Sequence, residues 1–233
     1  PAAAANLQTL GRQLYPRAWR AFPDCVPHGD TLNYLLKGVS PRELGLLRRL
    51  VIRSLIRKRA LESFRLLGRY YPVAVDGTGQ LVFNEKHCDR CIRRAHEGHV
   101  LYYHPVVEGK LTLENGLALS GGTAFVENLA PRATKQDCES KGFYRLAKDL
   151  KRDFPMLDIC LLLDGLFANK PVIRLCRRNR WAYIITFKEG SLPAVWEEYQ
   201  ALKTLAPKDV LVEEEPGCRR TYRWVNDIDF DGL

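Results

Sequence analysis

The stretch RYYPVAVDGTGQLVF, residues 69–83, carries the strongest indication of the fold. Pro72 and the apolar residues 73–75 predict a short buried strand. The strand is expected to end at a carboxylate, Asp76, with glycine at positions 77 and 79. Glycine has no Cβ, so it lets a metal ion, a phosphate or another backbone approach closely. The stretch therefore predicts a strand that ends at a candidate ligand site.

A second stretch repeats this arrangement. DICLLLDG, residues 158–165, is an apolar run that ends at Asp164 and glycine, as expected of a strand buried on both faces. If the two strands are neighbours, Asp76 and Asp164 lie together at the rim of an open sheet, where ligand crevices form. Paired carboxylates favour Mg²⁺ or Mn²⁺, and two such ions assist phosphoryl transfer. The alternative is two ordinary turns, in which each carboxylate bonds its own backbone.

The order of the predicted elements indicates an α/β fold. β-rich segments with glycine-containing turns follow the first strand, and an amphipathic helix is predicted over residues 135–154. A helix, a buried strand over residues 181–190 and a helix capped by Ser191 come after the second strand. This order predicts a mixed sheet flanked by helices, antiparallel at first and parallel afterwards.

The sequence pattern divides the chain into three predicted parts. Residues 1–69 have helical spacing and are basic, with Ser40 as the N-cap of a helix and Pro41 as its first residue. Residues 70–205 carry the predicted sheet. Residues 206–233 contain two further strands, so the expected architecture is an all-helical basic region, an α/β core and the start of a β-rich segment.

The basic residues predict a polyanionic partner. The chain has 36 Lys and Arg against 27 Asp and Glu, a formal charge of +9, and residues 41–70 hold nine basic side chains against two acidic ones. Such a run alone is typical of a solvated helix face, but the local and overall charges agree in sign, which favours nucleic acid. The candidate ligands of DNA phosphates are Arg48, Arg49, Arg53, Arg57, Lys58, Arg59, Arg90, Arg93, Arg94 and Lys188.

The seven cysteines predict reduced thiols in a cytoplasmic protein, because their number is odd and they are scattered along the chain. No apolar run reaches the roughly 18 residues that a membrane span needs, and no signal peptide is recognisable. The sequence begins at Pro1 instead of Met, so a fragment or a trimmed chain is expected.

A second candidate metal site lies in EKHCDRCIRRAHEGHVLYYH, residues 85–104. Cys88 and Cys91 have the spacing of a zinc knuckle, and His96 and His104 follow them. Two thiolates and two histidines complete a tetrahedral structural zinc site. The alternative is a pair of reduced thiols in a surface loop.

Four blocks of this sequence resemble DDE-type insertion-sequence transposases. They are VAVDGTG, KQDCESKGFYRLAKDLKRDFP, LLLDGLFANKPV and WAYIITFKEGSLPAVWEE, and the resemblance runs from about residue 25 to the end. It implies a ribonuclease-H-like catalytic core in which Asp76 and Asp164 are the first two catalytic acids. The resemblance further implies that two Mg²⁺ or Mn²⁺ ions held there activate water or a 3′-hydroxyl for attack on DNA. It also implies a homodimer on double-stranded DNA that pairs the transposon ends.

The third acid of the family is a Glu on a helix that follows a β-rich insertion. Here the sequence ends at TYRWVNDIDFDGL, before any such helix, so this Glu is expected beyond Leu233. Two alternatives to an active transposase therefore stay open. One is a non-catalytic DNA-binding remnant of a transposase, and the other is a ribonuclease-H-like nuclease.

Overall fold

The computed structural model describes most of the chain from residue 29 onward. The chain divides into two compact units, Pro1–Arg48 and Arg49–Leu233. Residues 1–28, which belong to the predicted basic helical region, lie outside the described residues. The described ranges are 29–96, 98–128, 136–187 and 190–229.

The first unit is helical in its described part. Helix α1 spans Gly29–Gly38, and helix α2 (Pro41–Arg57) begins in this unit and continues into the second. The Ser40 hydroxyl accepts a hydrogen bond from the Arg42 amide (3.3 Å), and the Ser40 amide donates to the Glu43 carboxylate (3.1 Å). The Ser40 hydroxyl thus caps the second helical residue, and the Glu43 carboxylate reaches back to the cap as in a capping box. The predicted helix start, with Ser40 as cap, is confirmed.

The second unit contains a mixed six-stranded sheet. The strands follow the order β2-β3-β1-β5-β6, and β4 also pairs with β3. β1 is antiparallel to β3 but parallel to β5, and β5 is parallel to β6. The predicted change from antiparallel to parallel pairing is thus confirmed. The strands are β1 (Tyr71–Phe83), β2 (Ile92–His96), β3 (His99–Thr112), β4 (Ala118–Phe125), β5 (Ile159–Leu163) and β6 (Ala182–Ile185).

Helices flank this sheet, so the predicted α/β class is confirmed. They are α3 (Glu139–Asp153), α4 (Lys170–Asn179) and α5 (Pro193–Leu205). α3 packs on β3 and β4 and buries Phe143, Leu146 and Leu150. The approach is close because β4 has glycine at position 122, where a Cβ would lie 2.6 Å from Leu146 Cδ1. None of the helices in the described ranges is long and apolar enough to span a membrane.

A buried carboxylate fixes the last turn of α3. Asp153 is only 5% exposed, and its side chain accepts hydrogen bonds from Arg49 (3.1 Å) and Arg152 (2.9 Å). Its carbonyl oxygen accepts from Arg53 Nε (2.9 Å) and Nη2 (2.7 Å). Burial by itself raises a carboxyl pKa, but the bonds from Arg152 and Arg49 outweigh it and hold the pKa of Asp153 below its ordinary value. Arg49 and Arg53, two of the predicted phosphate ligands, therefore have partners within the chain.

The C-terminal part forms a separate two-stranded sheet. β7 (Val210–Glu215) pairs antiparallel with β8 (Cys218–Arg223), and nearly all of its side chains are exposed. Glu214 pairs with Arg219 (3.5 Å) and Glu215 with Arg220 (3.1 Å). The two strands predicted within residues 206–233 are confirmed.

Three local predictions are wrong. The strand predicted as buried over residues 181–190 is the shorter β6 (Ala182–Ile185), whose side chains are half-buried or exposed. β1 does not end at Asp76 but continues to Phe83, because its pairing with β3 extends beyond its pairing with β5. It pairs with β5 only over residues 71–74, whereas its antiparallel pairing with β3 extends from Val73 to Phe83. Helix α5 begins at Pro193 without any side-chain cap, so Ser191 is not its N-cap.

Candidate functional site

The pairing of β1 with β5 brings the two predicted acids together in sequence register. The last parallel pair is Ala74 with Leu162, and two more residues along each strand lead to Asp76 and Asp164. Asp164 keeps an extended backbone (φ −84°, ψ 175°), so it continues the direction of β5. Because neighbouring strands lie about 4.8 Å apart and side chains alternate between faces, residues in register share one face of the sheet. Asp76 and Asp164 therefore start from adjacent positions at the same edge.

Both carboxylates accept hydrogen bonds from nearby backbone amides. Asp76 Oδ1 accepts from the Gly77 amide (2.8 Å), and Asp164 Oδ1 accepts from the Leu166 amide (3.0 Å) as the cap of a 3₁₀ turn, Gly165–Phe167. The turn-forming role considered as the alternative is thus present at Asp164. Both residues are exposed, and neither forms an ion pair with any described residue. The chemistry left to them is that of carboxylate oxygens in water, which are hard ligands.

A third carboxylate, which the sequence did not single out, approaches the same end of β1 but from the opposite face of the sheet, because Gly77 follows Asp76 directly and neighbouring strand residues point to opposite faces. Glu139 lies in the first turn of α3, and a Cβ built at Gly77 would lie 2.5 Å from its Cδ atom. Glycine next to Asp76 therefore makes room for the carboxylate of Glu139. Glu139 is half-buried and pairs with no basic side chain in the described part of the chain. We call Asp76, Asp164 and Glu139 the carboxylate edge.

The segment that leads into α3 is anchored by its own hydrogen bonds. Gln136 accepts from the Arg93 amide (2.6 Å) and donates to the Arg93 carbonyl (3.0 Å). Asp137 accepts from Arg145 Nη1 (3.2 Å). Burial raises the pKa of Asp137, but the bond from Arg145 and two backbone amides hold it below the ordinary value. These contacts fix the first turn of α3, and with it the backbone position of Glu139.

A cleft of about 280 Å³ opens beside the carboxylate edge. Glu139 lines it, and so does Leu166, two residues after Asp164. The remaining lining residues are Ile92, Tyr103, Pro105, Val126, Asp137, Cys138 and Ser140. Asp76 and Asp164 do not line this cleft, so of the three acids it is Glu139 that faces it. The ligand atoms of Asp76, Asp164 and Glu139 do not all lie within 4.8 Å of one another.

The predicted phosphate ligands fall into three groups. Arg48, like Arg49 and Arg53, has an interaction partner within the chain. A second group is exposed: Arg57, Lys58 and Arg59 at the end of α2, and Arg90, Arg93 and Arg94 at the start of β2. Two of these form weak surface pairs, Arg59 with Glu62 (4.0 Å) and Arg90 with Glu127 (3.5 Å). Lys188 lies outside the described residues.

The structure gathers three of the four predicted zinc ligands. The Sγ atoms of Cys88 and Cys91 lie 3.7 Å apart, and His104 Nε2 lies 3.5 Å and 3.3 Å from them. His96 ends β2, and its side chain lies outside the described part of the structure. Among the described residues, this is the one group of three or more Cys, His, Asp or Glu side chains whose ligand atoms all lie within 4.8 Å. We call Cys88, Cys91 and His104 the thiol cluster.

The chain matches no protein-family model, no curated protein and no solved structure. Its function is therefore inferred from the residues and their arrangement.

Proposed function

We propose that this chain is the catalytic core of a DDE-type DNA transposase, which cleaves and joins phosphodiesters at transposon ends with Mg²⁺ or Mn²⁺. The observation that carries the proposal is the parallel register of β1 and β5, which leads Asp76 and Asp164 to one edge of the sheet. The strand order agrees with a ribonuclease-H-like fold, since β1 is flanked by antiparallel β3 on one side and by parallel β5 and β6 on the other.

The donor set fits hard divalent cations. Asp76 and Asp164 offer carboxylate oxygens, the edge is exposed, and no described basic side chain competes for either acid. Such cations bound there would neutralise charge on the attacking and leaving oxygens of the phosphodiester. The protein's own part is to hold the two acids on rigid strands and to keep the Asp164 side chain oriented through its bond to the Leu166 amide.

Glu139 extends this set to three acids. Its backbone is fixed by the anchored start of α3, while its carboxylate lies over Gly77, next to Asp76 in sequence. In this position it is suited to bind a second cation or a metal-bound water through its oxygens. It is not the Glu that the transposase resemblance implies, which belongs to a later helix.

Exposed arginines are suited to hold the DNA backbone. Arg90, Arg93 and Arg94 lie at the start of β2, and the Arg93 backbone bonds Gln136, three residues before Glu139. Phosphate contacts of this kind supply affinity without sequence preference and weaken with salt. We propose that these residues, with Arg57, Lys58 and Arg59, bind double-stranded DNA, and that a homodimer pairs two DNA ends.

The proposal is tested by cleavage of transposon-end DNA in Mg²⁺ or Mn²⁺ with Asp76→Asn and Asp164→Asn in the full-length protein. We expect cleavage to fall at least about 100-fold in each, because even partners outside the first ligand shell change metal affinity or activity by 10- to 100-fold. DNA affinity should stay close to that of the wild type, because the substitutions remove negative charge only.

The matched control is Asp158→Asn. Asp158 precedes β5, at the opposite end from Asp164, and its carboxylate makes an exposed contact with Arg69 (3.6 Å). Its removal should leave cleavage unchanged. Wild-type cleavage in either Asp76→Asn or Asp164→Asn would rule out the proposed site. A wild-type protein that binds DNA, but neither cleaves it nor binds Mg²⁺ or Mn²⁺, would instead support a non-catalytic remnant.

A second candidate is a ribonuclease-H-like nuclease, and the position of Glu139 favours it. A hydrolase that uses water as its nucleophile would have three acids within the described residues. The two candidates differ in substrate and product. Release of oligoribonucleotides from an RNA–DNA hybrid, without joining of a DNA 3′ end to a target, would support the nuclease.

A further inference from the structure

We propose that the thiol cluster is a structural zinc site that is separate from the carboxylate edge. The inference does not depend on the proposed function, because it rests on the geometry of Cys88, Cys91 and His104. These three side chains come from two places, the connection between β1 and β2 and the middle of β3. A site that joins them would close this connection onto the sheet.

The distances within the cluster match tetrahedral coordination. Zinc binds thiolate sulfur at about 2.3 Å and imidazole nitrogen at about 2.0–2.1 Å. At tetrahedral angles these lengths give about 3.8 Å between two sulfurs and about 3.6 Å between a sulfur and a nitrogen. The observed separations are 3.7 Å between the sulfurs, and 3.5 Å and 3.3 Å from them to His104 Nε2. Three ligand atoms therefore already lie at the corners that zinc requires.

The surroundings favour a structural role. Cys91 is buried, and Cys88 and His104 are half-buried, so the cluster is only partly accessible to solvent. Asn128 links the same connection to the segment after β4. Its side chain donates to the Cys91 carbonyl (2.9 Å), and its backbone amide donates to the Arg90 carbonyl (3.1 Å). The fourth corner is left to water or to a histidine such as His87, which stacks on Phe83.

The other cysteines show what a non-ligand thiol looks like in this chain. Cys160 and Cys176 are buried among apolar side chains, and burial raises the pKa of both thiols, that of Cys176 to about 12. Thiols with such a high pKa stay protonated and are poor metal ligands. Cys138 and Cys218 are exposed and belong to no such cluster among the described residues.

The cluster also lies away from the carboxylate edge. His104 pairs with Leu81 of β1, five residues beyond Asp76. At about 3.4 Å per strand residue this separation is about 17 Å along the strand. A zinc ion in the thiol cluster would therefore not take part in chemistry at Asp76. Its role would be to hold the connection that carries Arg90 against the sheet.

The test is the metal content of the purified protein, with zinc measured by mass spectrometry. We expect stoichiometric zinc in the wild type and in Cys138→Ser and Cys218→Ser, and at least a tenfold loss of zinc affinity in Cys88→Ser, Cys91→Ser and His104→Ala. Zinc-free wild-type protein that fails to take up added Zn²⁺, or Cys88→Ser protein that binds zinc as the wild type does, would overturn the proposal.

A second measurement uses the wild type alone, in case the cluster variants do not fold. Co²⁺ substituted for zinc should give the strong visible absorption of tetrahedral cobalt together with sulfur-to-cobalt charge-transfer bands. The weak spectrum of octahedral cobalt would contradict the site. A change of the visible bands in His87→Ala would assign the fourth ligand to that histidine, and an unchanged spectrum would leave the fourth position to water or to His96; either result retains the metal in the cluster.

Discussion

The fold buries one acid, Asp153, and leaves two others, Asp76 and Asp164, exposed to solvent. Asp153 is 5% exposed and receives hydrogen bonds from Arg49 and Arg152. Asp76 and Asp164 are exposed, and their described partners are backbone amides one or two residues away. The chain has 36 basic residues, yet none of those in the described ranges pairs with either edge acid.

The difference follows from desolvation. A carboxylate in the core loses its water and must be matched by protein cations, otherwise its burial is strongly unfavourable. A carboxylate at an exposed edge keeps its water, so the fold does not need to neutralise it. Such an acid stays available to a cation from solution. The comparison therefore separates an acid that stabilises the fold from acids that are suited to bind a ligand.

The largest expected effect on stability is that of Asp153→Ala. It removes a buried carboxylate that accepts hydrogen bonds from Arg49 and Arg152, whose side chains are 30% and 62% exposed. Loss of hydrogen bonds to a charged group costs about 1.5–3 kcal/mol. Urea unfolding measures it. Asp149→Ala is the control on the same helix, because Asp149 makes a more exposed pair with Arg152 (2.7 Å) and should cost less than about 1 kcal/mol. Asp76→Asn should cost nothing measurable, and equal losses for Asp153→Ala and Asp76→Asn would break the comparison.

Lowering the pH should remove part of the contribution that Asp153 makes to the free energy of unfolding. Its folded-state pKa is below the ordinary value, so the unfolded chain binds more protons as the pH falls. The contribution is complete above the unfolded pKa of about 3.9 and is lost as the pH falls through the lowered folded value. Asp137 contributes with the same sign. Urea unfolding between pH 5 and pH 2 should show a smaller fall in Asp153→Asn than in the wild type, and parallel curves would contradict this assignment.

Divalent cations should stabilise the folded protein by binding to the carboxylate edge, and not by binding to Asp153 in the core. Ligand at 100 times its dissociation constant stabilises the folded state by about 2.7 kcal/mol. We therefore expect a gain of about this size or less when Mg²⁺ is added to the wild type at constant ionic strength. The gain should be lost in Asp164→Asn and kept in Asp158→Asn. An identical Mg²⁺ effect on all three proteins would show that the cation acts elsewhere.

The sequence predicts the two edge acids better than it predicts their surroundings. VAVDG and LLLDG locate Asp76 and Asp164 because apolar runs mark buried strands wherever they occur. The extent of β1 is not predictable in this way. Residues 77–79 include two glycines that usually weaken a strand, and they remain in β1 because β3 pairs with them from about 30 residues away.

Long-range contacts explain the other differences. Glu139 looks like an ordinary acid in the first turn of a helix, where the helix dipole favours it. Its approach to Gly77 depends on how α3 packs on the sheet, which no local pattern contains. Arg49 and Arg53 looked like part of a basic DNA-binding face, but they bond a residue 100 or more positions away. The spacing of Cys88 and Cys91, in contrast, is local, and the structure brings His104, which the sequence also predicted as a ligand, next to them.

A small effect on stability is expected for Gly77→Ala, and this substitution tests whether Glu139 belongs with the edge acids. The new Cβ would displace the Glu139 carboxylate, which is the mobile end of a flexible side chain. Alanine also lowers the conformational entropy cost of folding relative to glycine. We therefore expect a stability change within about 0.5 kcal/mol of zero, together with a several-fold loss of Mn²⁺ affinity in a binding titration.

Gly142→Ala in α3 is the matched control, because its Cβ would meet side chains that cannot swing away. The nearest atoms are Val107 Cγ2 at 2.8 Å and Val126 Cγ2 at 3.0 Å, both on β-branched residues. Overpacking of this kind costs about 1–3 kcal/mol, against about 1 kcal/mol gained in helix propensity. If Gly77→Ala binds Mn²⁺ as tightly as the wild type, Glu139 does not contribute to cation binding at the carboxylate edge. A stability loss in Gly77→Ala as large as that in Gly142→Ala would mean that the Glu139 side chain is held rigidly against β1.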